Sequence, residues 1–132
     1  MAEYIFAELL RRHGATDRFE VSSSAVSREE IGNDVYPPAR RQLLSHGIPC
    51  PSRAARQITA GEIGEYDHIL CMDRSNLERL ARISLAACEK AKLLGDYGEG
   101  GAEIEDPWYT GRFDRVFEEI YRCCESFLDS VL

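Results

Sequence analysis

Tyr66-Asp67-His68-Ile69-Leu70-Cys71-Met72, followed by Asp73-Arg74-Ser75-Asn76-Leu77, is the stretch that decides the fold. The first part is a short apolar run, which predicts a buried strand over 66–72. The next four residues turn the chain. Asp73 or Ser75 then supplies the side-chain oxygen that starts a helix carrying Leu77, Leu80 and Ala81. A buried strand feeding directly into a helix is the building unit of an α/β fold with a parallel sheet.

The same alternation continues outward in both directions. Over 2–13, Ile5, Phe6, Leu9 and Leu10 recur at helical spacing, and Gly14 supplies a stop. Residues 18–23 read as a short strand with Phe19 and Val21 on one face, and the small, polar run 22–27 reads as the loop at its C-terminal end. Tyr36-Pro37-Pro38 opens a helix over 39–45, with proline in the first turn where its missing N–H costs nothing, and His46-Gly47-Ile48-Pro49 closes it. Residues 91–94 read as a last strand. The final helix, Phe113–Val131, places Phe113, Val116, Phe117, Ile120, Cys124, Phe127, Leu128 and Val131 on one face. In parallel sheets ligands bind beyond the carboxyl ends of the strands. The 22–27 loop, the Asp73 turn and the loop around Asp106 each follow a strand, so this topology predicts that they converge.

A chain of 132 residues with 44% apolar and 30% charged residues has the length and composition of one globular domain with one core. Twenty-three acidic against sixteen basic residues give a net charge of −7, which argues against a sequence-independent nucleic-acid binder. No apolar run approaches the roughly 20 residues needed to span a membrane. Met1-Ala2-Glu3-Tyr4 leads straight into a helical pattern without a signal-type segment, so the expected location is cytoplasmic. Five cysteines (Cys50, Cys71, Cys88, Cys123, Cys124) form no C-x-x-C pair, and adjacent Cys123 and Cys124 cannot point the same way on a helix. An odd, unpatterned set fits buried reduced thiols. His13, His46 and His68 lack metal-ligand spacing and read as surface or satisfied side chains.

Chemistry is concentrated in Glu105-Asp106-Pro107-Trp108-Tyr109, between the glycines Gly98, Gly100 and Gly101 and the final helix. The proline biases Asp106 toward an extended backbone, and two large rings beside it are expected to form a wall able to exclude water and grip a flat substrate. A loop that presents a carboxylic acid to a leaving group is built this way.

In this order along the chain, the motifs resemble those of the low-molecular-weight protein tyrosine phosphatases. The resemblance rests on Met1-Ala2-Glu3, the serine-rich run from Val21 to Ser27, Glu30-Ile31-Gly32-Asn33, His46-Gly47-Ile48 and Ala55-Arg56-Gln57-Ile58. It rests further on Leu70-Cys71-Met72-Asp73-Arg74-Ser75-Asn76-Leu77 and on the segment 105–109, so it covers nearly the whole chain. It implies a flavodoxin-like, doubly wound parallel sheet with helices on both faces, in a single domain over 1–132. It also implies hydrolysis of tyrosine phosphate on proteins, or of a small aryl phosphate, through a cysteinyl-phosphate intermediate without metal or cofactor. Asp106 matches the general acid. Trp108 and Tyr109 match the aromatic pair that flanks the substrate ring. Glu29 stands where the family often has an aromatic on the opposite wall, which favours a basic substrate side chain. Ser23 and Asp73 match residues that support the pocket.

One departure from the family is severe. Its nucleophile lies in a C-x5-R-S/T loop just before the Met-Ala-Glu segment, and this chain starts at that Met. The reading is therefore of a domain truncated at its N-terminus, without the first, interior strand, the nucleophilic Cys and the phosphate-binding Arg, and hence without activity. Loss of that strand is expected to expose strand edges that pair with a second copy. Cys50 and Arg56 satisfy C-x5-R by count, but the intervening residues contain no glycine to wrap a phosphate and no hydroxyl residue follows Arg56. The rival readings are a protein-arginine phosphatase or an arsenate reductase of the same fold, a non-catalytic binding or regulatory remnant, and a nonfunctional gene fragment.

Overall fold

In the computed structural model, which describes residues 1–24, 34–52, 56–98 and 100–132, two short strands pair in parallel. They are β1 (Ile69–Cys71) and β2 (Ala91–Leu93), with Ile69 opposite Ala91, Leu70 opposite Lys92 and Cys71 opposite Leu93. Side chains alternate across a strand, and β1 uses both faces. Leu70, with Met72 just beyond the strand, packs on a core built by α1 (Ala2–Arg12), α2 (Pro37–Ser45) and α7 (Phe113–Val131). Ile69 and Cys71 pack on a second core around Ile63, Leu80 and Ala87. These come from α3 (Ala60–Glu65), α4 (Arg74–Ile83) and α5 (Ala87–Lys90). Helices therefore cover both faces of a parallel sheet, as the strand-to-helix reading predicts.

The larger core is organised by α7. Val116, Phe117, Ile120, Cys123, Cys124, Phe127 and Leu128 are buried along it, against α1 and a 3₁₀ turn over Leu94–Tyr97. Full burial of such aliphatic and aromatic side chains is worth about 1.5–3 kcal/mol each. Cys123 and Cys124 do point differently, yet both are buried, because the one apolar face of α7 is wide enough to take in both positions, while Glu118, Arg122, Glu125 and Asp129 lie exposed on the other. A side chain on Gly98 would press on the backbone and Sγ of Cys123, so that glycine lets the loop after the 3₁₀ turn lie against the helix. Leu9, Ile5 and Leu10 of α1 complete the contact, and Gly14, at φ +65°, ends that helix as expected.

The strand read over 66–72 is confined to Ile69–Cys71, and two further features differ from the sequence reading. Residues 18–23 do not form a strand: a 3₁₀ turn over Thr16–Arg18 is followed by an extended Phe19 and by residues 20–24 without regular secondary structure. Phe19 and Val21 still face the larger core, while Glu20 is exposed, so the alternation is as read. A strand also requires a hydrogen-bonded neighbour, and among the described residues this stretch has no ladder partner. The second difference is α3, which the apolar pattern does not reveal. Its N-terminus is closed by a capping box in which Thr59 and Glu62 bond each other's backbone N–H groups. Its C-terminal end is closed by Lys90, whose Nζ donates to the carbonyls of Ile63 and Tyr66, both at 2.8 Å. No helix among the described residues is long and apolar enough to cross a membrane.

Two glycines test this packing. A Cβ at Gly95 would overlap the carbonyl oxygen of Ala102, whereas one at Gly64, within α3, meets nothing within 4 Å. Gly95→Ala is expected to destabilise by about 1–3 kcal/mol or more. Gly64→Ala is expected to stabilise by about 0.4–1 kcal/mol. Urea denaturation of the two variants checks both signs.

Candidate functional site

The Asp73 turn and the Asp106 loop are neighbours, and backbone and side-chain bonds join them. Beyond β1 the carbonyl of Met72 accepts from the N–H of Ile104 at 2.9 Å, and the Glu103 carboxylate accepts from the N–H of Arg74 at 3.2 Å. Asp73 is the N-cap of α4: its Oδ1 accepts from the N–H of Asn76 at 2.8 Å. Asn76 in turn accepts from the N–H of Met72 at 3.3 Å. The Asp73 carboxylate is thus committed to holding the turn. Burial, with the charge of Asp73 adding to it, pushes the thiol of Cys71 up to about 11.

From Ile104 the chain enters the acid-bearing loop. Asp106 takes an extended backbone (φ −84°, ψ 113°), as a residue before proline should, and caps α6 (Pro107–Thr110) by accepting from the N–H of Trp108 at 2.9 Å. Pro107 occupies the first helical position, and Gly111, at φ 73°, ends the single turn in the left-handed region. The loop is clasped at its base. Arg112 donates from Nε to Glu105 Oε1 at 2.9 Å and from Nη2 to Oε2 at 2.5 Å, a two-pronged pair across residues 106–111. The Arg112 guanidinium holds the Glu105 carboxyl below the usual carboxylate range. Asp106 itself is exposed. Trp108 and Tyr109 project from the turn at 56% and 84% exposure, open to a flat ligand.

The remaining residues singled out from sequence are distributed as follows. Ser23 lies exposed in the irregular stretch 19–24, next to Ser22, whose hydroxyl is 2.6 Å from that of Tyr66. Glu29 and residues 25–27 of the polar loop lie outside the described residues, so convergence is described for the Asp73 and Asp106 segments. Of the Cys50 to Arg56 run, 53–55 also lie outside. The Arg56 guanidinium is paired with Glu62 of α3, which a phosphate would have to displace. Cys124 is buried and pushed up to about 12, first by desolvation and then by Cys123. Cys71 and Cys124 are packing thiols rather than nucleophiles. His46 stacks on Phe117 at 3.9 Å and His68 meets the Phe127 ring edge-on at 5.3 Å, the satisfied roles expected of them. Among the described residues no group of three His, Cys, Asp or Glu side chains is placed to hold a metal.

Sequence reasoning missed two parts of this site. One is the Glu105–Arg112 clasp, for which opposite charges flanking the loop were the available signal. The other is Tyr36, the N-cap residue of α2, whose ring lies 4.4 Å from that of Trp108 and 5.8 Å from that of Phe113. Seventy-two positions separate Tyr36 from Trp108, and no local pattern joins them.

Comparison with known proteins gives a consistent result. A sequence model of the family described as low molecular weight phosphotyrosine protein phosphatase matches residues 1–132. The human low molecular weight phosphotyrosine protein phosphatase is 38% identical over 135 residues, covering 98% of this chain and 85% of that protein. The Bacillus subtilis low molecular weight protein-tyrosine-phosphatase YfkJ is 31% identical over 134 residues, covering 99% and 86%. The crystal structure of YfkJ superposes with a TM-score of 0.93, covering 98% of this chain and 84% of that one. That of the low molecular weight protein tyrosine phosphatase from Streptococcus pyogenes gives 0.87 at 26% identity, covering 99% and 83%.

The clasp carries a pH dependence with a definite sign. A carboxyl held below its ordinary value, about 4.3 for glutamate, contributes stability that is present above that value. The contribution is lost as pH falls through the lowered folded value. Glu105→Gln is therefore expected to lower the melting temperature at pH 6–7 and to have progressively less effect below about pH 4. Thermal melts of both proteins from pH 7 to pH 3 check this.

Proposed function

Because the chain belongs to the low molecular weight phosphotyrosine protein phosphatase family, we propose that its domain serves the hydrolysis of tyrosine phosphate on proteins, with Asp106 as the proton donor. The observation that carries this reading is the Asp106 turn. Its carboxylate is exposed, extended from a proline-locked backbone and flanked by two open rings. In the reaction a cysteine thiolate attacks phosphorus and the phosphorus–oxygen bond to the tyrosyl group breaks. The leaving oxygen takes its proton from Asp106. The Asp106 carboxylate then accepts a proton from the water that attacks the cysteinyl phosphate, which releases inorganic phosphate and restores the thiolate.

Trp108 and Tyr109 are assigned to the substrate ring, and Glu29 to the opposite wall. Asp73 acts on the pocket indirectly, through the cap that holds the turn beside Ile104. Ser23 is assigned to support of the phosphate-binding loop. The thiolate itself is assigned to none of Cys50, Cys71, Cys123 and Cys124. Cys71 and Cys124 are held protonated by burial, Cys123 is fully buried, and Cys50 belongs to a run whose arginine is already paired with Glu62. A phosphate loop of the Cys-x5-Arg type is what the acid requires.

Two assays test the assignment. Residues 1–132 alone are expected to show no turnover of phosphotyrosine. The same residues joined to a Cys-x5-Arg phosphate loop are expected to hydrolyse it, with Asp106→Asn lowering kcat by about 10²–10⁴-fold at unchanged far-UV circular dichroism. Turnover that is indifferent to Asp106→Asn would refute the role given to that residue.

A further inference from the structure

Trp108 belongs to neither apolar core, and among the described residues the one ring in contact with it is that of Tyr36, at 4.4 Å and 48°. Tyr36 is unusually well fixed for a surface residue. It is followed by Pro37, the first residue of α2, and its own backbone sits at φ −61°, ψ 129°. Two residues earlier, Asp34 accepts from the N–H of Val35 at 2.7 Å and takes both its oxygens to Arg40 Nη2 at 3.0 Å. The approach to α2 is therefore pinned by a local hydrogen bond, an ion pair and a proline. The Tyr36 ring also packs on Phe113, the first residue of α7, at 5.8 Å. Trp108 spans the gap from this platform to the acid, because its ring meets Tyr36 while its N–H donates to Asp106 Oδ1.

The geometry points to Tyr36 as a positioning residue for the Asp106 turn, acting through Trp108. The clasp between Glu105 and Arg112 holds the two ends of the loop, and the Tyr36–Trp108 contact holds its middle. Without that contact, α6 is one turn of helix with an exposed tryptophan and little to set its orientation. The significance of this role for catalysis rests on Asp106 being the acid; the positioning itself does not.

The test reads position rather than turnover, so it stands or falls apart from the assignment of the acid. Trp108 is the one tryptophan of the chain, so its emission comes from this side chain alone. In Tyr36→Ala its emission should move to longer wavelength and its quenching by acrylamide should increase, while Tyr36→Phe, which keeps the ring, should match the parent protein. The bond to Asp106 is read by hydrogen exchange of the Trp108 amide relative to that of Ile104, which Met72 holds away from the contact. The ratio corrects for any general loss of stability in a weakened variant. It should rise about two- to tenfold in Tyr36→Ala, the range that one aromatic pair is worth, and stay unchanged in Tyr36→Phe. An unchanged ratio in Tyr36→Ala, or an equal rise in Tyr36→Phe, would overturn the proposal.

Discussion

Both cores of this protein meet at the three residues of β1. Leu70 is turned to the α1, α2 and α7 side, and Ile69 and Cys71 to the α3, α4 and α5 side. A strand that packs helices on both faces reads as a continuous apolar run rather than an alternating one. That packing explains a run such as Ile-Leu-Cys, and it explains why the polar residues begin at once where the strand ends. Asp73 then starts α4, and Met72 offers its carbonyl to Ile104. The placement of the acid-bearing loop therefore follows from the end of one short buried strand.

Beyond that anchor, the loop is held by contacts of a different kind. The Glu105–Arg112 pair, the Trp108 N–H on Asp106 and the Tyr36–Trp108 contact all lie at the surface. Each is worth little alone, and exposed ion pairs in particular contribute at most about 1 kcal/mol. Together they orient one carboxylate without burying it. Burial would have raised the cost of its charged form and sealed it from a substrate. In the role proposed for Asp106, an acid that exchanges a proton with its ligand is better held by its neighbours than enclosed by them.

The thiols show the opposite treatment. Cys71 and Cys124 are packed into the interior and held protonated, Cys71 with the added repulsion of Asp73 and Cys124 with that of Cys123. An inert thiol behaves as a small apolar side chain. The neighbouring Cys123 and Cys124 show how wide the buried face of α7 is, since adjacent helical positions are both covered.

Elements with a strong local signal were legible in the sequence. The apolar stripe of α7 sets that helix from Phe113 to Val131, and the proline pair, the glycine stops and the Asp73 cap mark the boundaries of the others. The Asp-Pro-aromatic segment likewise announces a turn that presents an acid, because proline restricts its own backbone and that of the residue before it. Whether residues 19–24 join a ladder depends on a neighbouring chain segment, and the alternation of Phe19 and Val21 is silent about that. Helix α3 depends on a capping box and on a lysine from 25 or more residues further along rather than on an apolar stripe. Only the tertiary structure decided that Tyr36 meets Trp108 and that Glu103 reaches the start of α4. Such contacts join residues distant in sequence through the packing of whole elements. No local preference encodes them, because each exists only once the helices and strands have docked.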